Sequence, residues 1–275
     1  QYSIFFSVAI SVLLTPSFVN SLSMSVCTNV IDNLADRSLS LLKNPPPTVN
    51  RHNQIFIAVA GGPGSGKSTL AHTLSDTINS RHGNDISVVI PMDGYHITRA
   101  ELKRMGSTGR IIGDPASSTD GKSTSYEDLL ARRGSPWTFD PRAFVRDLKK
   151  AKDCGGGSFP VYSRERSDPV PDGAVLTKRQ KIVLCEGNYV LAFDDPEWKP
   201  LDKIWDEKWY VSVPESIVLE RLVNRHLENW TAEKSRLWGE GRPGARAKAE
   251  ANDLKNAIWI EEVSKTYADL VVENL

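Results

Sequence analysis

The sequence of 275 residues has no excess of charge of either sign: 34 Lys and Arg stand against 34 Asp and Glu. A chain whose main partner is a nucleic acid or an anionic membrane surface carries a basic patch or stripe, so neither class is indicated. Any ligand must be recognised locally. Cysteine is scarce and odd in number, with Cys27, Cys154 and Cys185 scattered and no C-x-x-C spacing. A disulfide framework and a zinc site are both unindicated, and a reducing, cytoplasmic setting is expected. No apolar run spans a bilayer comfortably. The longest, "IFFSVAISVLLTP" from Ile4 to Pro16, is short and broken by serine. It resembles the h-region of a signal peptide, yet no Lys or Arg precedes Arg37 to form a basic n-region. The preferred reading is an extension ahead of a start at Met24, and no membrane partner is expected. There is no internal repeat. The seven tryptophans do not alternate with a basic stripe, which leaves them to packing and not to base stacking on nucleic acid.

What is present is an alternation of apolar runs and helical periods. "IFIAVA" (55–60), "ISVVI" (86–90), "IVLC" (182–185), "WYVSV" (209–213) and "DLVV" (269–272) read as strands. Most lack strict alternation, as expected when both faces of a parallel strand are buried. Leu70, Leu74 and Ile78 repeat at i, i+4, i+8 after the first strand, and Pro214 opens a second helical pattern with Val218, Leu222 and Val223 on one face. This is βαβ architecture, and the fold expected is α/β, a doubly wound parallel sheet of the P-loop type. The length suits one large domain with an insertion. Residues 1–50 form an amphipathic leader closed by "NPPPTVN", whose prolines cannot continue a helix. The main domain is 51–275, with 98–177 as an insertion and 214–250 as a candidate lid. Within the insertion, Asp140 and Pro141 read as an N-cap and first-turn pair, and the helix they open ends by "CGGGS", which reads as a flexible linker.

The strong chemical signal is "GGPGSGKST". Gly61, Gly66, Lys67 and Ser68 satisfy G-x-x-x-x-G-K-[ST] directly after a strand and before a helical pattern. Such a loop wraps phosphate oxygens with inward N–H groups, which glycines permit, so Gly61, Gly62, Gly64, Ser65, Gly66, Lys67, Ser68 and Thr69 are the expected nucleotide contacts. Lys67 supplies a cation and Ser68 a hydroxyl for Mg²⁺. Two neighbouring strands end in acids: "ISVVIPMD" at Asp93 and "KIVLCEG" at Glu186. In a parallel sheet both fall at the carboxyl edge beside the loop, where one can act as a base and the other on metal. Arg221 and Arg225, spaced i, i+4, share a helix face, and "GEGRPGARAKAE" beyond them suits a mobile cover. Guanidinium groups there can stabilise charge on a transferred phosphoryl group, though a solvated face accounts for the pair equally well.

Together "GGPGSGKST", "MDGYH", "GSPWTFD", "FPVYSRERSDPVPDG" and "VLCEGNY" resemble the phosphoribulokinase/uridine kinase superfamily of P-loop kinases. The resemblance spans about residues 54 to 272. "PVYSRERSDPVPDG" is similar to type I pantothenate kinases, and the combination of "DGYH", "GSPWTFD" and "EGNY" looks most like a uridine-kinase-like branch in fungi and bacteria. It implies ATP as donor and a small hydroxylated metabolite as acceptor. It also carries the base role onto Asp93, the acidic partner onto Glu186, and phosphate contacts onto Arg221 and Arg225. The chain departs from uridine kinases in having Gly94, Tyr95 and His96 after the Asp and no His in the segment from Tyr162. It lacks the C-terminal aromatics of pantothenate kinases. Tyr162, Arg164 and Arg166 are candidate acceptor contacts, with a solvated basic loop as the alternative. His96 could touch the acceptor or support Asp93, although a lone His near a turn is more often structural. His226 is given less weight, and Asn252 and Asn256 read as an exposed polar face. An ATP hydrolase using Glu186 to position water, and a non-catalytic nucleotide-binding regulator, are the rival functions. The acceptor is left open, and a homodimer is compatible with the chain.

Overall fold

In the computed structural model, residues 16–82, 85–108 and 125–274 are described, with side chains from residue 29 onward except 128 and 131. The apolar run from Ile4 as far as residue 15, and residues 109–124, lie outside them. The chain runs α1 (Pro16–Lys43), β1 (Ile55–Ala60), α2 (Lys67–His82), β2 (Ser87–Pro91), α3 (Arg99–Thr108), α4 (Tyr126–Ala131), α5 (Pro141–Cys154), β3 (Gly157–Ser163) and β4 (Asp168–Leu176). It continues through β5 (Ile182–Gly187), β6 (Glu207–Ser212), α6 (Glu215–Leu227), α7 (Ala232–Trp238), α8 (Gly241–Lys248), α9 (Leu254–Ser264) and β7 (Leu270–Glu273). Five strands form one sheet in the order β2-β5-β1-β6-β7, every pair parallel.

Both faces of this sheet are covered, which is why its middle strand, β1, is apolar throughout. Phe56, Ala58 and Ala60 of β1 face one core with Phe144, Tyr189 and Trp198, while Ile55, Ile57 and Val59 face the other with Leu70, Leu74 and Trp209. The leader contributes to the second core. Ile31, Leu34 and Ala35 of α1 are buried in it, Arg81 of α2 pairs with Asp32 and Asp36, and Arg37 pairs with Glu207. Glu207 also accepts the Trp209 indole N–H at 2.7 Å.

On the opposite face α5 is fixed by a buried ion pair. Lys152 Nζ donates to Asp206 Oδ1 at 2.9 Å, and Asp206 Oδ2 accepts the Phe56 backbone N–H at 2.8 Å. The Asp206 side chain is fully buried. Asp140 caps α5 as the sequence predicts, accepting from Ala143 N at 2.9 Å. The glycine run after α5 corrects the linker expectation. Gly155 is the left-handed cap (φ 77°) and Gly157 begins β3, so the run is ordered structure. The antiparallel β3–β4 hairpin is also absent from the sequence reading. Pro160, Pro169 and Pro171 hide it, yet an isolated two-stranded ribbon has only edges, where proline is tolerated.

Candidate active site

β1 delivers the chain to the glycine-rich loop and α2 leaves it at Lys67. Gly64 and Gly66 have φ of +82° and +81°, a left-handed region that side chains strain to occupy. The loop is held from two sides. Asn274, just past β7, donates to Ser65 O at 2.7 Å, and a Cβ on Gly62 would lie 2.8 Å from Ala257 Cα of α9. Ser65 Oγ and Arg221 Nη1 are buried without hydrogen-bond partners among the described residues. Arg221 Nη1 lies 3.7 Å from where a Gly66 Cβ would stand, so the guanidinium leans over the loop. Lys67 is buried as well. Orphaned donors, a buried ammonium and the start of α2 together form a site for an anion.

The two acids meet at the carboxyl edge through register. Glu186 pairs across the sheet with Val59 of β1 and Pro91 of β2, two residues before Asp93. Ser68 Oγ donates to Glu186 Oε2 at 3.0 Å. Burial pushes the Glu186 carboxyl up from 4.5 to about 6, Lys67 and Ser68 oppose that, and the Asp93 charge adds to it. The raised value means that this group favours folding most below about 4.5, and the contribution is lost as pH rises through 6. Glu186→Gln, which cannot ionise, is therefore expected to stabilise the nucleotide-free protein at pH 7.5 by about 2 kcal/mol. Urea titrations at pH 7.5 and near pH 4 check the origin, because an equal gain at both would remove ionisation as the cause.

Asp93 sits in a one-turn helix, Met92–Tyr95, that ends β2. This turn is stitched to the insertion: Ile97 N donates to Thr138 O and Asp140 N to Tyr95 O, each at 2.8 Å. Tyr95 OH donates to Asp147 of α5 at 3.0 Å. The hairpin presses on the same turn, since a Cβ on Gly94 would stand 1.9 Å from Pro160 O. Gly94→Ala is expected to destabilise by about 2 to 3 kcal/mol, the scale of overpacking against a rigid neighbour. Thermal unfolding with ATP titration checks this, and a wild-type melting temperature would show that the hairpin yields freely.

His96 packs between Phe139 and Tyr162, with ring centroids 4.0 and 4.8 Å away, and its Nδ1 lies 2.8 Å from Asp93 O. Burial holds its pKa below the ordinary histidine value against the pull of Asp93. His96 thus braces the Asp93 turn. Tyr162 lies under the Arg133 guanidinium, 5.5 Å from its ring centroid, and Arg133 ties the hairpin, through Ser167 O and Asp168 Oδ1, to Ile97 O just after the Asp93 turn. Arg164 and Arg166 are exposed in the hairpin turn, and Thr69 is exposed on α2. The two α6 arginines part company. Arg221 turns to the loop, whereas Arg225 lies 3.9 Å from Asp253, which His226 Nε2 also meets at 2.6 Å. Burial works against the Asp253 charge, but His226 and Arg225 outweigh it and hold the carboxyl below its usual value.

No protein-family model matches the chain. It is 32% identical over 247 residues to a Schizosaccharomyces pombe protein provisionally named a uridine kinase, covering 89% of this chain and 90% of that protein. The chain belongs to the uridine-kinase-like P-loop kinases. A crystal structure from Silicibacter sp. TM1040, provisionally titled a fructose transport system kinase, is 30% identical with a TM-score of 0.66 over 87% of this chain and 98% of that one. The P-loop kinase YFH7 of Saccharomyces cerevisiae shares the fold, with a TM-score of 0.67 at 21% identity over 89% and 99% of the two chains. Membership makes the anion site of this kinase an ATP site, and the orphaned Ser65 Oγ and Arg221 Nη1 are donors suited to phosphate oxygens.

Among the described residues no group of three His, Cys, Asp or Glu side chains is placed to hold a metal ion. The Ser68 hydroxyl and Glu186 carboxylate are nevertheless a hard-oxygen pair that fits Mg²⁺ arriving with phosphates, the usual mode for that ion. Also among the described residues, no helix is long and apolar enough to cross a membrane. Sequence reasoning missed Asn274, Arg133 and Asp253. Asn274 belongs to no motif, Arg133 sits in a stretch without periodicity, and Asp253 acts only because the chain brings it back against α6.

Proposed function

We propose that this kinase transfers the γ-phosphoryl group of ATP to a hydroxyl of a small metabolite, with Asp93 as general base. The observation that carries this is the placement of Asp93 and Glu186 at one sheet edge beside the nucleotide loop, Glu186 in register with Pro91, with the insertion bonded to the Asp93 turn. A hydrolase has no need of that second wall. Asp93 accepts the acceptor hydroxyl's proton as its oxygen attacks phosphorus in line. Lys67 and Arg221 neutralise charge on the phosphoryl oxygens, and Arg225 is available to join them once it leaves Asp253. When bound, Mg²⁺ supplies further charge neutralisation, with Ser68 and Glu186 as the residues to hold it. His96 and Tyr162 wall the acceptor side.

The names of the relatives put uridine and fructose on a panel with other nucleosides, sugars, vitamins and glycerate-like acids. ATP consumption is expected to rise with one compound and to stay at background with the others. Steady hydrolysis indifferent to every compound and to Asp93 would replace the transferase with an ATPase.

A further inference from the structure

The nucleotide loop is gripped by a residue 209 positions away in the chain. The last pair of the β6–β7 ladder joins Ser212 to Glu273, and Asn274 extends it by donating its backbone N–H to Ser212 O at 3.0 Å. β6 also pairs with β1, Tyr210 against Ala60, and Val211 O would lie 3.1 Å from a Cβ on Gly61. One strand thus carries both the start of the loop and the anchor of Asn274.

The apolar neighbours of the loop can only press on it. Ala257 backs Gly62, and side-chain atoms of Leu222 and Val218 would lie 3.2 and 3.3 Å from a Cβ on Gly64. Among the described residues, Asn274 alone reaches the backbone of 61–66 with a side-chain hydrogen bond, Nδ2 to Ser65 O at 2.7 Å. The same Nδ2 would stand 2.6 Å from a Cβ on Gly66. This bond acts on the peptide between Ser65 and Gly66. That peptide is trans and planar, so its carbonyl and its N–H point in opposite directions. A donor that holds the carbonyl on one side therefore aims the Gly66 N–H to the other. The N–H is unpaired among the described residues and stands one residue before Lys67, where α2 begins. An N–H so placed is the donor that a phosphate oxygen takes. Glycine has no side chain to stop such a peptide from rotating, so its direction must be imposed from outside.

We infer that Asn274 is a positioning residue for polyphosphate binding: by holding the Ser65 carbonyl, it locks the 65–66 peptide in the orientation that presents the Gly66 N–H to the phosphates. It acts through the loop backbone and needs no contact with a reacting atom. The inference rests on the loop being the ATP site of this kinase, and not on Asp93 as base or on any choice of acceptor.

Isothermal titration of inorganic tripolyphosphate and of ATP into the full chain tests it, because tripolyphosphate reads the phosphate cradle alone. Asn274→Leu, close in shape but without a donor, is expected to bind both about tenfold more weakly, the worth of one well-placed hydrogen bond to an anion. Asn274→Gln keeps the amide and should recover most of that loss. A residue that merely braced the end of β7 would act on stability and not on the cradle, so the Gly66 amide signal in a ¹⁵N–¹H spectrum separates the two roles. At saturating tripolyphosphate that signal should move in the wild-type protein and move clearly less in Asn274→Leu. Wild-type affinity in the leucine variant, equal losses in the leucine and glutamine variants, or a Gly66 amide that shifts as far without Asn274 as with it would each overturn the inference with the ATP site intact. Failure of the wild-type protein itself to bind tripolyphosphate would overturn the ATP site, and this role of Asn274 with it.

Discussion

Asp93→Asn is expected to lower acceptor-dependent turnover about 10² to 10⁴-fold, the usual contribution of a general base, with ATP affinity unchanged. Asparagine fills the same space but cannot take a proton. The turn that carries it should survive, because its bonds to Thr138 O and from Asp140 N use only backbone atoms. His96 Nδ1 likewise meets the Asp93 backbone carbonyl and not its carboxylate. A loss through misfolding is therefore distinguishable: it would weaken ATP binding and lower the melting temperature, and neither is expected. Glu186 should also lose its electrostatic push from Asp93, so its carboxyl ought to titrate lower in the variant. Single-turnover phosphorylation of the acceptor found on the panel is the deciding measurement. An unchanged rate would remove Asp93 from the base role.

Lys152→Met is expected to cost about 3 to 5 kcal/mol, the scale for leaving one member of a buried ion pair uncompensated. Methionine keeps most of the packing against Phe56, whose ring lies 5.4 Å from Lys152 Nζ. It leaves the Asp206 carboxylate with only the Phe56 N–H, in a place water does not reach. Adding Asp206→Asn should recover a large part of the loss, since a neutral amide needs no counter-ion and can still accept from Phe56 N. Urea midpoints of the two variants check this. A single variant within 1 kcal/mol of wild type, against that expectation, would mean that water or a second cation reaches Asp206.

The inner parallel strands were legible because burial on both faces writes itself as apolar runs, and the ends of all five expected strands shift by at most two residues in the structure. The nucleotide loop was legible because left-handed backbone at Gly64 and Gly66 demands glycine. Both acids were legible for a topological reason: parallel strands send their carboxyl ends to one edge. What stayed hidden depends on return contacts across long sequence separations. Asn274 reaches Ser65, Asp253 reaches Arg225 and His226, and Arg133 reaches Asp168, and no local period marks any of these positions. The hairpin stayed hidden because its prolines oppose the usual strand signal. The i, i+4 spacing of Arg221 and Arg225 correctly placed them on one helix, but it could not show that their partners differ.

The stitching of the Asp93 turn to residues 138–140 has an evolutionary consequence. The segment that shapes the acceptor side and the residue that would activate the acceptor share backbone hydrogen bonds, so they cannot drift independently. On this frame a new specificity would arise by changing side chains while those bonds are kept, or by lengthening the chain away from them, and not by exchanging the insertion whole. A graft that replaced 98–177 from a relative without preserving the bonds at Thr138 and Asp140 would carry over the new segment and displace Asp93.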